Sequence, residues 1–116
     1  MVSDDYSVPT RVDYELDRVI AYVSEDYLAI FVPMTKTLAD CHIVSESSST
    51  ELLSLETMHD LAETTTIRSL IAHIPTHNER CIKLVEKIGF KRIGINERSI
   101  LKGGELQDQY IYTRCL

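Results

Sequence analysis

"PTHNERCIKLVEKIGF", residues 75–90, is the stretch whose reading decides the fold. A polar cluster opens it. Apolar residues then follow at helical spacing through Cys81, Ile82, Leu84, Val85 and Ile88, and Gly89-Phe90 closes it. Thr76 with Glu79 three residues on has the form of a capping box, in which two side chains satisfy orphan amides at a helix start. Asn78 is a second residue able to cap that start. Gly89 can end a helix in the left-handed conformation at little steric cost, which lets Phe90 drop into the core. The stretch therefore predicts a helix, with strand-like sequence on either side.

Working outward, "TTIRSLIAHI" (65–74) is rich in β-branched residues. Leu70, Ala72 and Ile74 fall on one face, and Ile67 and Ile71 on the other, as in a strand buried on both sides. After the helix, "KRIGINERSIL" and "DQYIYTRCL" read as two strands around a "KGGE" hairpin turn. Upstream, "YLAIFV" (27–32) and "LADCHIV" (38–44) read as strands, and Pro33 limits the first. "STELLSLETMHDLAE" (49–63) carries a helical stripe of Leu52, Leu55, Met58 and Leu61, with Leu53 and Ala62 beside it. Ser49 or Thr50 is its expected N-cap. "DYELDRVIAYV" (13–23) places Leu16, Val19, Ile20 and Val23 at helical spacing, yet its β-branched content equally suits a strand. Residues 1–10 read as a loose or edge segment. Strand and helix alternate in the middle and a hairpin closes the chain. The class is thus α/β (α+β) with a mixed central sheet, and the 38–44 and 65–74 strands are expected to be parallel.

Composition bounds the function. The 116 residues suit one domain, 1–116, with a core over 27–116 and a divergent segment over 1–26. Net charge is −6, with 18 acidic residues against 12 basic, which disfavours nucleic acid as a partner. No apolar run approaches the roughly 18 residues of a membrane span, so no membrane partner is expected. Cys41, Cys81 and Cys115 are odd in number and widely spaced, which fits reduced thiols in a cytoplasmic protein. No two of the four histidines have metal-ligand spacing, and no metal is expected.

Asn78, Cys81-Ile82, Leu84, Lys87 and Gly89-Phe90 together resemble the "N-x-x-A-x-x-L-Y-x-K-x-G-F" segment of the GNAT superfamily of N-acetyltransferases. The strand before this segment and the hairpin after it resemble the family's last strands. The likeness covers 65–116 in sequence pattern and 27–63 by topology only, and residues 1–26 are far shorter than the family's usual first strand and two helices. It implies a mixed sheet whose parallel strands splay apart around acetyl-CoA, and transfer of an acetyl group to an amine. The "CHIV" strand would then offer Ile43 and Val44 to the pantetheine arm. The turn with Ser47, Ser48, Ser49 and Thr50 would meet the pyrophosphate, and Asn78 and Lys83 would face the cofactor. Two departures stand out. The turn "SESSSTELL" lacks the family's glycines and arginine, and Glu46 and Glu51 would repel phosphate. The family's general-acid tyrosine, four residues before the glycine, is replaced by Val85.

Acetyl transfer needs a base for the amine. His42, on the strand beside the cofactor, is the first candidate, with an ordinary pKa of about 6.5. Glu46 is the second. The alternative is that His42 is structural, Glu46 a solvated loop acid and the serines a helix-capping turn. The chain also resembles the compact, degenerate acetyltransferase-like proteins of bacteriophages, some of which travel in the virion. Two functions are thus open. One is a small N-acyltransferase acting on a small-molecule or protein amine. The other is a non-catalytic binding or structural protein with a degenerate cofactor loop. So short a chain could complete its sheet by pairing with another chain, in a homodimer or with an assembly partner.

Overall fold

The computed structural model describes residues 8–14 and 18–116. The chain forms β1 (Thr10–Tyr14), β2 (Val19–Ser24), β3 (Tyr27–Pro33), β4 (Leu38–Ser45), α1 (Thr50–Thr64), β5 (Ser69–Pro75), α2 (Glu79–Lys87), β6 (Lys91–Lys102) and β7 (Glu105–Cys115). Seven strands make one mixed sheet in the order β1-β2-β3-β4-β5-β7-β6. Every neighbouring pair is antiparallel except β4 and β5, which run parallel as expected.

That pair is short. Leu38, Ala39 and Asp40 face Ser69, Leu70 and Ile71, and beyond them the two strands have no ladder. β4 nevertheless continues to Ser45 and β5 to Pro75, so the sheet opens between their C-terminal ends.

Both helices pack on the same face. Leu53, Met58 and Leu61 of α1, with Val85 of α2 and Ile88 just after it, share one core cluster with Phe31, Leu70, Ala72 and Tyr112. The contact stripe of α1 differs from the expected one. Leu53, Ser54, Thr57, Met58 and Leu61 are buried, whereas Leu52 and Leu55 are exposed. The reason is polar. Tyr27 packs its hydroxyl within 3.1 Å of Ser54 Oγ and 3.3 Å of Thr57 Oγ1, so the helix turns a partly hydroxylic stripe inward. A reading by hydrophobicity alone misses that stripe. Along α2, Val85 and Ile88 are buried, and Leu84 is only half-buried against the core.

The described residues of the 13–23 segment take the strand alternative. Asp13 and Tyr14 end β1, Val19 begins β2, and the two strands pair antiparallel from Thr10↔Val23 to Tyr14↔Val19. Leu16 lies outside the described residues, as does most of the segment expected to be loose. The β-branched residues Val12, Val19, Ile20 and Val23 lie on the pleated surface that suits them.

Candidate functional site

A cavity of about 600 Å³ opens where β4 and β5 part. Its wall is built from the end of β4, the serine turn, the start of α1 and one side of α2. Most residues proposed for the cofactor meet here: Ile43, Val44, Ser47, Ser48, Thr50, Asn78 and Lys83 all line it. Ser49 does not line it but is the N-cap residue of α1.

The turn is built by its own hydroxyls. Ser45 Oγ and Thr50 Oγ1 are 2.6 Å apart, and Thr50 donates to Ser47 O at 2.7 Å. The Ser47 amide donates to Ser45 Oγ at 3.1 Å, and the Ser49 amide to Ser47 Oγ at 3.0 Å. Ser45, Ser47 and Thr50 thus shape the loop, and exposed Ser48 keeps its hydroxyl for a ligand. Ser49 makes no side-chain cap bond, and Leu53 N is the amide that closes onto Ser49 O, at 2.9 Å. The amides ahead of it in the first turn have no intrahelical acceptor and are oriented for an anion.

At α2 the cap is Asn78, whose Oδ1 accepts from the Cys81 amide at 3.2 Å. The expected capping box of Thr76 and Glu79 does not form, because the helix starts at Glu79 itself, one residue past Asn78. An asparagine with its oxygen committed to the helix still has its amide N–H groups to offer the cavity. The remaining α2 contribution is cationic. Arg80, Lys83 and Lys87 all line the cavity, and Arg80 Nη2 reaches Ser45 O across the opening at 3.2 Å. Sequence reasoning passed over Arg80, although its spacing with Lys83 and Lys87 (i, i+3, i+7) puts the three on one helix face. Glu51 is the one carboxylate in this wall. Cys81 also lines it, with its thiol pushed up by burial and so kept neutral.

The two proposed bases lie apart from that wall. Glu46 is exposed, and its backbone amide ties the turn to Asp26 O at 2.9 Å. His42 is exposed on the sheet face opposite the helices, since its neighbours Cys41 and Ile43 point into the helix side. It is not isolated there. Asp40 Oδ2 lies 3.1 Å from His42 Nε2, and Asp40 Oδ1 lies 3.8 Å from Nδ1 of His73 on β5. This His-Asp-His group stands where the β4–β5 ladder ends.

Comparison with known structures gives a consistent result. The chain superposes on a ribosomal-protein-alanine N-acetyltransferase from Brucella melitensis with a TM-score of 0.75 and 19% identity, over 88% of this chain and 72% of the other. It matches an acetyltransferase of the GNAT family from Streptococcus pneumoniae with a TM-score of 0.70 and 20% identity, over 84% and 66%. The fold is that of the GNAT N-acetyltransferases. A third GNAT-fold structure, spermidine N-acetyltransferase from Vibrio cholerae in complex with CoA and spermine, matches with a TM-score of 0.74 and 14% identity, over 84% and 64%. No protein-family model and no curated protein matches the chain. Among the described residues, no helix is long and apolar enough to cross a membrane.

Proposed function

We propose that this chain is an N-acyltransferase that moves an acetyl group from acetyl-CoA to an amine. The observation that carries the reading is the cavity at the opened β4–β5 seam, bounded by uncapped α1 amides and by Arg80, Lys83 and Lys87. The wall fits the ligand's chemistry, because a pyrophosphate needs oriented N–H donors and positive charge. The first turn of α1 and the Ser48 hydroxyl would hold the pyrophosphate, Lys83 and Lys87 the further phosphate, and Ile43, Val44 and Asn78 the pantetheine arm. Acetyl-CoA supplies an activated thioester.

His42 serves as base. Asp40 accepts the Nε2 proton of its ring, which leaves Nδ1 free to take a proton from the amine. The amine nitrogen bonds to the acetyl carbon, the carbon–sulfur bond breaks, and the thiolate takes a proton from water, which is restored by the proton that His42 returns to solvent. Val85 is buried and has no proton to give. The acceptor is an amine of a small molecule or a protein, as in the spermine-bound neighbour and the ribosomal-protein-alanine enzyme.

A second reading, a non-catalytic binding or structural protein, is favoured by one observation: Glu51 stands in the cavity wall while Ser45, Ser47 and Thr50 spend their hydroxyls on each other. Calorimetric titration of CoA separates the two. The enzyme reading expects weak binding, tightened roughly 2–5-fold by Glu51→Gln, the scale of one charge at a helix N-terminus, and weakened by Lys83→Ala. His42→Ala should leave CoA binding unchanged and lower acetyl transfer by about 10²–10⁴-fold. Absence of binding at millimolar CoA would leave the non-catalytic reading standing.

A further inference from the structure

The face of the sheet opposite the helices carries no helix among the described residues, yet its side chains are those of a core. Register places Val12, Ala21 and Ile30 in one row, with Val23 and Leu28 in the next. Val32 on β3, Ile71 on β5 and Ile111 on β7 extend the surface. Leu28, Ile30, Val32, Ile71 and Ile111 are all half-buried, and none packs against the core cluster on the other face. Val23, next to last in β2, is 41% exposed, although its strand is paired on both sides.

We propose that this face is covered by a second copy of the chain, packed sheet against sheet. Size is the first argument. Six strands spaced about 4.8 Å apart, each contributing about 17 Å of length, give a footprint of roughly 500 Å² in projection, of which the half over β1, β2 and β3, a few hundred Å², is apolar. Apolar patches of that scale mark interaction surfaces. With side-chain relief and rim, the area is on the order of the ~800 Å² that each partner buries in a stable interface.

Charge is the second argument, and it selects the occupant. On β1, β2 and β3 the residues of this face are Thr10, Val12, Tyr14, Val19 and their apolar cross-strand partners, with no charged group among them. A basic or acidic partner would find nothing to pair with, and desolvating its charge would go uncompensated. Two copies of the chain can meet here without bringing like charges together, despite a net charge of −6. The face's one carboxylate in β4, Asp40, already lies between the imidazoles of His42 and His73. An apolar centre over β2 and β3 with this polar group towards one side has the layout of a protein interface. Two twisted sheets would pack with their strands about 30° apart, and a two-fold axis would make the contact self-complementary. The second copy would also wall the open side of the β4–β5 seam, where His42 stands.

Sedimentation equilibrium of the purified chain tests this, independently of CoA binding. A dimer at micromolar concentration is expected. Ile30→Glu and Val23→Glu should each raise its dissociation constant by about 30-fold or more, as placing a charge in a desolvated contact does. Leu106→Glu, on the exposed β7 end of the hairpin, should leave it unchanged. Circular dichroism checks that each variant is folded; should Ile30→Glu unfold, Val23→Glu decides, because that side chain is already partly in solvent. A monomeric parent chain overturns the proposal and leaves the face to a different occupant. Dimers that survive Val23→Glu but fail with Leu106→Glu overturn it in favour of hairpin or edge pairing.

Discussion

Helix α1 begins at Ser49 with no side chain bonded to its first-turn amides, whereas α2 begins at Asn78, whose oxygen holds the Cys81 amide. The contrast continues along their lengths. α1 buries five residues against the sheet, and α2 buries Val85 alone within its span. At the far end α2 is closed by Gly89 at φ +99°, with the Phe90 amide bonded back to Val85 O at 2.9 Å. One helix is held by its flank, the other by its ends. The difference teaches how a small domain leaves donors free. A helix anchored through packing can afford an unsatisfied N-terminus facing a cavity, while a lightly packed one needs its caps.

The largest test of that contrast is Leu53→Ala. Leu53 is fully buried in α1, so its truncation should cost about 2–5 kcal/mol in denaturant titration. Leu84→Ala on α2 should cost distinctly less, since Leu84 is half-buried; equal losses would break the comparison. Gly89→Ala should come next, at roughly 1–3 kcal/mol, from the left-handed backbone and from a new Cβ only 2.9 Å from Arg114 Nε.

The thiols sharpen the comparison through pH. Burial pushes up both Cys41, in the core, and Cys81, on α2. A thiol whose folded pKa is raised contributes its full stability below its unfolded value, near 9, and loses it as pH rises from there towards the raised folded value. Above pH 9 the buried Cys41 thiol then costs up to about 1.4 kcal/mol per pH unit, and the half-buried Cys81 less. Thermal melts between pH 8 and 11 should therefore fall steeply, and Cys41→Ala should flatten that limb more than Cys81→Ala. The smallest effects are at the caps. Asn78→Ala should lose about 1 kcal/mol. Ser49→Ala should fall within ~0.5 kcal/mol, because Ser49 has no cap bond to lose.

Much of the second half of the chain was legible in the sequence. Period-2 alternation fixed β5 around Leu70, Ala72 and Ile74, and Gly89-Phe90 marked the end of α2 where it occurs. Gly103 and Gly104, both at positive φ, make the expected tight turn between β6 and β7. Legibility failed where polar atoms decide the packing. Ser54 and Thr57 turned α1 away from its leucine stripe because Tyr27 offers their hydroxyls a partner in the core. For the site, residue types near the serine turn and Asn78 pointed to the right cavity. What sequence could not convey was the pleat: it put His42 on the opposite face from Ile43, and gave it Asp40 as a neighbour two residues away on the same strand.

The three-residue ladder between β4 and β5 has a consequence for how the chain assembles. β1 to β4 form a meander in which each strand pairs with the next in sequence, and β6 with β7 form a hairpin. Both units close short loops and can organise early, since local contacts cost the least chain entropy. β5 must instead find β4 across the length of α1 and β7 across α2 and β6, and three ladder positions reward the first of these encounters. The two halves of the sheet are therefore expected to join late, with α1 as the strap that brings them together. A ligand lying across the seam would bind only the joined state, and would stabilise it in proportion to the logarithm of its concentration.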